Sequence, residues 1–235
     1  MRALSSTPTS RLRPAVSSSR ERFLELALAA DALRFGEFTL KSGRISPYFF
    51  NAGRFDSGTR LAGLAACYAD AIQDAGLDVD VLFGPAYKGI PLAAAVACDL
   101  SRRGKDVGLA YNRKEAKDHG EGGTLVGASM QGKRVLIIDD VITAGTAIRE
   151  ALNLVTAGGG IVSGIVVALD RQEVLDDGDR RSAVQRVRDS AGVPVISVAT
   201  LDDLLEWTAR SGASGADQPA LLAYRARYGS ASSGH

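Results

Sequence analysis

Four branched apolar residues in succession, Val135-Leu-Ile-Ile138, run directly into two carboxylates, Asp139 and Asp140. This junction constrains the fold more than any other feature. A strand with one wet face alternates apolar and polar residues, whereas a run apolar at every position needs cover on both faces. Further apolar strand segments stand at Val79 to Phe83, Val107 to Tyr111, Ile161 to Leu169 and Val193 to Val198. Between them lie segments of helical character. Leu61, Leu64, Ala65, Tyr68 and Ile72 mark one that Gly76 closes, and Ile90 to Leu100 is apolar nearly all round. Thr146 to Ala157, the neighbourhood of Val184 and the stretch from Leu201 onward supply the others. Strand and helix in alternation predict an α/β fold with a mostly parallel central sheet flanked by helices on both faces. A chain of 235 residues with a hydrophobic fraction of 46% can fill such a core.

The N-terminal part reads differently. Phe23, Leu24, Ala27 and Leu28 predict a helix capped by Ser19 and ended by Gly36. Phe38-Thr-Leu40 and Tyr48-Phe-Phe50 then predict two short strands around a turn, a small hood at about residues 38–51. The hood cannot hold a core of its own, so residues 20–228 are expected to form a single domain. Residues 1–19, rich in Ser, Arg, Thr and Pro and without an acid, read as a disordered extension rather than a transit peptide. Residues 229–235 read as a flexible tail.

Composition excludes several classes. Twenty-eight basic and 27 acidic side chains leave a formal net charge of +1, which speaks against a nucleic-acid partner. No apolar run approaches the roughly 20 residues needed to span a bilayer. Cys67 and Cys98 lie in alanine-rich apolar stretches and read as buried, reduced thiols, which fits a cytoplasmic enzyme.

The turn after Ile138 carries the chemistry. Thr143-Ala-Gly-Thr-Ala147 opens into a helix whose first N–H groups lack internal partners, a ready site for a phosphate. Gly145 lets the backbone approach the anion, and Thr143 and Thr146 add hydroxyls. Adjacent carboxylates suit vicinal hydroxyls, directly or through a metal. Phosphate plus diol points to a ribose 5-phosphate.

The run from Val135 to Ala147 closely resembles the signature of the phosphoribosyltransferases that use 5-phosphoribosyl 1-diphosphate (PRPP). Five further segments resemble the orotate phosphoribosyltransferase family: Phe38-Thr-Leu-Lys-Ser-Gly-Arg44, Pro47-Tyr-Phe-Phe-Asn51, Gly84-Pro-Ala-Tyr-Lys-Gly-Ile-Pro91, Asn112 to Gly122, and Leu169-Asp-Arg-Gln-Glu173. The likeness covers roughly residues 20–228. It implies the phosphoribosyltransferase fold, a requirement for Mg²⁺ held mainly through the substrate, and a homodimer. It also implies that PRPP is contacted by Lys41, Tyr87, Lys88, Arg113, Lys117, His119 and the run Asp139, Asp140, Val141, Ile142, Thr143, Ala144, Gly145, Thr146 and Ala147. Lys114 would serve the neighbouring subunit's site. Phe49, Phe50, Thr143 and Arg171 would bind orotate, Arg171 through a guanidinium fork suited to a planar carboxylate. Lys117, Asp139 and Asp140 are the expected catalytic residues.

Composition alone leaves residues 112–123 open between an ordinary charged loop and a mobile lid. Two rival functions stand beside the main one: transfer to another base, and a non-catalytic PRPP-sensing regulator. Arg171 speaks against a purine, and the presence of Lys88, Lys117 and His119 speaks against a regulator.

Overall fold

The computed structural model describes residues 18–40, 42–117, 123–143, 145–176 and 178–230. The expectations for residues 1–17 and 231–235 lie outside these. Helix α1 (Ser19–Ala29) opens on a reciprocal cap in which Ser18, one residue before the expected Ser19, accepts from the Glu21 N–H while the Glu21 side chain accepts from Ser18 N–H. The helix stops well short of Gly36. Strands β1 (Leu33–Thr39) and β2 (Ile45–Phe50) follow as an antiparallel hairpin, the expected hood. Gly36 sits inside β1 at φ +142°, where the register shifts between Phe35 and Phe38, so this glycine marks a bulge and not a helix end.

After a 3₁₀ turn (Ala52–Arg54) come α2 (Gly58–Asp74), β3 (Val81–Gly84), α3 (Gly89–Arg102), β4 (Gly108–Lys117), β5 (Gly123–Gly127) and β6 (Arg134–Ile138). The chain continues through α4 (Thr146–Ala157), β7 (Ile161–Asp170), the short hairpin β8 (Val174–Asp176) and β9 (Asp179–Ser182), α5 (Ala183–Ala191), β10 (Val195–Thr200), α6 (Leu201–Ser211) and α7 (Gln218–Tyr228). The six-stranded sheet has the order β10-β7-β6-β3-β4-β5, parallel except for the edge pair β4–β5.

Alternate residues of the central strands face two separate cores. Leu82, Leu136, Ile138 and Val166 pack under α1, α2, α3 and α6. Val81, Phe83, Val135, Ile137 and Ile165 pack under α4 and α5. This two-sided burial is why Val135 to Ile138 contains no polar position.

Three further expectations change. Residues 113–117, read as part of a polar loop, continue β4; its antiparallel ladder with β5 is irregular after Asn112 and resumes with Lys117 opposite Gly123. Gly229 and Ser230 are tied down rather than frayed: Gly229 forms a bridge with Glu173, and Ser230 N–H donates to the Gln172 carbonyl at 2.7 Å. Cys67 is buried, with its thiol pushed up to about 11 by burial, but Cys98 is exposed. Among the described residues, no helix is long and apolar enough to cross a membrane.

Candidate active site

The carboxyl ends of β3, β6 and β7 meet at one edge of the sheet, where ligands of such sheets bind. Beyond the last residue of β6 the chain keeps pairing with β7: Asp139 N–H donates to Val166 O at 3.1 Å, and Ala168 N–H donates to Asp140 O at 2.8 Å. Both acids are therefore held as an extension of the strand, and both are buried. Asp139 Oδ1 accepts from Asp140 N–H, and Asp140 Oδ1 accepts from Val141 N–H, each at 2.9 Å. The Tyr68 hydroxyl of α2 donates to the Asp139 carbonyl at 2.7 Å. Burial, with the charge of Asp140 adding to it, pushes the Asp139 carboxyl up to about 6.

Gly145 precedes α4 in a left-handed conformation, φ +74°, and is buried. A Cβ there would stand 3.0 Å from Val187 Cγ2, so both the backbone angle and the close packing call for glycine. No side chain caps α4. Its first N–H groups are left for another acceptor, and the positive end of the helix dipole faces the same way. Thr143, Thr146 and Ala147 are exposed, while Val141 and Ile142 pack against opposite cores. Ala144 lies outside the described residues.

The turn from β3 to α3 supplies a cation. Lys88 Nζ lies 3.0 Å from Asp140 Oδ2, yet its side chain remains 67% exposed. The turn is held tightly. A Cβ on Gly89 would come within 2.9 Å of the Ile138 carbonyl oxygen, so α3 abuts the end of β6 only because this residue is glycine. Ala86 N–H donates to Asn112 Oδ1 at 2.9 Å, the Ala86–Tyr87 peptide is cis, and the Tyr87 side chain is exposed.

At the end of β7, Arg171 reaches into the hood. Its Nη2 donates to Ser46 Oγ at 3.2 Å, and its Cζ lies 4.4 Å from the centre of the buried Tyr48 ring. The turn that carries it is pinned by Gln172, whose side chain exchanges hydrogen bonds with Asp202.

No cluster of three or more potential metal ligands occurs among the described residues. The site offers instead two adjacent carboxylates. That donor set fits a hard cation such as Mg²⁺ held largely by substrate oxygens and water, and does not fit an all-protein cage.

A family model, the phosphoribosyl transferase domain, matches residues 55–189. Orotate phosphoribosyltransferase from Xanthomonas euvesicatoria is 67% identical over 219 residues, covering 93% of this chain and 100% of the relative. The enzyme of the same name from Stenotrophomonas maltophilia is 66% identical over 214 residues, 91% of this chain and 98% of the relative. The chain belongs to the orotate phosphoribosyltransferase family. The crystal structure of the Francisella tularensis orotate phosphoribosyltransferase superimposes with a TM-score of 0.79 at 43% identity, covering 88% of this chain and 99% of that one. The expected fold is thereby met, including the hood.

Of the residues expected to serve an orotate phosphoribosyltransferase, the structure brings together Lys88 with Asp139 and Asp140 beside the start of α4. Arg171 stands at the end of the adjacent strand. Arg113, Lys114 and Lys117 fall on β4, the backbone alone being described at Lys114 and Lys117. Lys41 and His119 lie outside the described residues. Phe49 and Phe50 part company because neighbouring strand residues face opposite ways. Phe50 packs on Phe23 of α1 with ring centres 5.9 Å apart, whereas Phe49 lies 5.5 Å from Phe38 and faces Arg34.

Four residues that shape the site escape sequence reasoning: Tyr48, Tyr68, Asn112 and Glu173. Tyr48 had a signal, since it alternates with Phe50 on the inner face of β2. The other three act through partners distant in sequence or through a carboxylate that reads as an ordinary charge.

Proposed function

We propose that this chain transfers the phosphoribosyl group of PRPP to a ring nitrogen of orotate, releasing diphosphate and forming orotidine 5′-monophosphate in UMP biosynthesis. The observation that carries the reading is the junction of three parts at the ends of β3 and β6: the acid pair, the cation of Lys88 and the uncapped start of α4. The 5-phosphate sits on the N–H groups from Thr143 to Ala147, including those of Ala144 and Gly145. Asp139 and Asp140 accept from the ribose hydroxyls, with Val141 and Ile142 contributing backbone to the same cradle. Tyr87, Lys88, Lys41, Arg113 and His119 contact PRPP on its diphosphate side. Arg171 takes the orotate carboxylate, with Phe49, Phe50 and Thr143 bordering the ring.

The nitrogen attacks the anomeric carbon as the bond to diphosphate breaks. Charge develops on the leaving group, and Lys117 from the β4–β5 hairpin meets it there. Mg²⁺ bound to PRPP would add positive charge at the same oxygens, and Asp139 and Asp140 are the carboxylates placed to hold its waters. Lys117→Ala is expected to lower kcat by about 10²–10³-fold and leave orotate binding nearly intact; equal losses in both would show that the residue does not act on the transition state.

The enzyme works as a homodimer in which Lys114 serves the partner subunit's site. Hybrids of inactive Lys114→Ala and inactive Asp140→Asn chains should therefore recover activity on mixing, since one site of each hybrid keeps both residues. Absence of recovery, with hybrids present, contradicts the exchange. The reaction is tested by product identity: incubation with orotate, PRPP and Mg²⁺ should yield orotidine 5′-monophosphate, and a nucleotide formed from adenine in its place would sink the assignment.

A further inference from the structure

Glu173 takes no part in the roles above, yet it is closely engaged with Arg171. Its Oε1 accepts from Arg171 Nε at 2.8 Å and lies 2.7 Å from Nη2. The Tyr48 hydroxyl is 3.5 Å from the same oxygen. The carboxylate side chain is only 12% exposed, and its backbone is bridged to Gly229. Around the guanidinium stand the Tyr48 ring, Ser46 Oγ and Tyr224, whose ring meets that of Tyr48 edge-on at 6.2 Å.

For capturing an anion by charge alone, this carboxylate is counterproductive, because it partly neutralises Arg171. Its benefit is geometric. An unrestrained arginine loses the freedom of several torsions when it grips a ligand, and a fork fixed beforehand avoids that loss. The lower attraction is set against a guanidinium that already stands in one orientation on the face of Tyr48.

We propose that Glu173 is a positioning residue for orotate recognition, presetting Arg171 between the hood and the end of β7. The inference rests on the reading of Arg171 as the orotate-binding fork. It assigns specificity for the anionic base partly to a residue that need not touch it.

Steady-state kinetics with each substrate varied, on Glu173→Ala, Glu173→Gln, Arg171→Ala and the double variant Arg171→Ala/Glu173→Ala, test the proposal. Glu173→Ala should raise the KM for orotate about tenfold, the cost of immobilising one long side chain, with the KM for PRPP unchanged. Glu173→Gln keeps a neutral acceptor at the same place and should restore most of the loss. In the Arg171→Ala background, removing Glu173 should add nothing. An unchanged orotate KM in Glu173→Ala, an equal rise for both substrates, or a loss that persists without Arg171 overturns the positioning role. If Arg171→Ala itself leaves the orotate KM unchanged, the reading of Arg171 falls and the inference falls with it. A raised KM in Arg171→Ala beside a normal one in Glu173→Ala removes the inference alone. Should Glu173→Ala fail to fold, Glu173→Asp gives the same readout, since the shorter arm withdraws the acceptor oxygen.

Discussion

Replacing Asp139 by asparagine is expected to make the ligand-free protein more stable and the enzyme far slower. The Asp139 carboxyl is pushed from its ordinary value of 3.8 up to about 6, first by burial and then by the charge of Asp140. A raised carboxyl binds its proton more tightly in the folded chain than in the unfolded one. Its contribution to stability is therefore fully present below pH 3.8 and is lost as pH rises through about 6. At neutral pH the folded protein carries a buried charge that costs about 1–3 kcal/mol. Asparagine removes the charge and keeps an oxygen that can accept from the Asp140 N–H. The thermal midpoint at pH 7.5 should rise by about 2–12 °C, from the usual relation for domains of this size, and the difference should shrink toward pH 4. Catalysis should move the other way, with kcat/KM for PRPP falling by about a hundredfold or more for loss of a charged contact to the reacting sugar. In the unsubstituted enzyme the same group predicts that kcat/KM for PRPP declines below about pH 6, because this parameter reports ionisation in the free enzyme. Calorimetry and a pH–rate profile check both arms. A destabilised Asp139→Asn would show that the ionised carboxylate contributes to the ligand-free fold rather than being tolerated for function.

Gly84→Ala should have the second large effect. A Cβ at residue 84 would overlap the Gly89 carbonyl oxygen and stand 2.7 Å from the Gly89 carbonyl carbon and 2.9 Å from Ala93 Cβ. The nearest obstacles are backbone, which cannot swing aside as a long side chain would. To admit the methyl group, α3 must move away from β3 near its first turn, and Gly89 also abuts the Ile138 carbonyl oxygen. Overpacking of this kind costs about 1–3 kcal/mol, and the thermal midpoint should fall by roughly 2–12 °C. The same movement carries Lys88 away from Asp140 Oδ2, so the KM for PRPP should rise as well. Thermal denaturation together with PRPP titration tests the pair of effects. Normal stability with a normal KM would mean that the turn has room that the packing does not show.

The parts of the fold that could be read in the sequence are those where local pattern and burial agree. Val135 to Ile138 is apolar on both faces because both faces are covered, and helix α4 runs over Thr146–Ala157 as its spacing predicts. The turn proposed to hold the phosphate was legible because its glycine, threonines and acids lie within one short run. Strand formation in a polar stretch was not legible. The half of β4 beyond Asn112 is polar in sequence and rejoins β5 only at Lys117, so its residues look like a loop. Gly36 resembled a helix stop because glycine serves in bulges and in helix ends alike. Long-range partners were invisible as well. Nothing near Tyr68 in the sequence indicates that its hydroxyl reaches the Asp139 carbonyl, and the fork of Arg171 meets Ser46 across 125 positions. The proposed base side is thus assembled from the hood, β7 and α7, whereas the proposed sugar-holding turn lies in one continuous run.

The division into a sugar-holding half at β6–α4 and a base-holding half at Arg171 is tested most directly by base-dependent release of diphosphate from PRPP in the presence of Mg²⁺. The prediction is saturable release with orotate, much weaker release with uracil, which has the same ring without the carboxylate, and none with adenine. Release supported by adenine and not by orotate, or by uracil as well as by orotate, would contradict it.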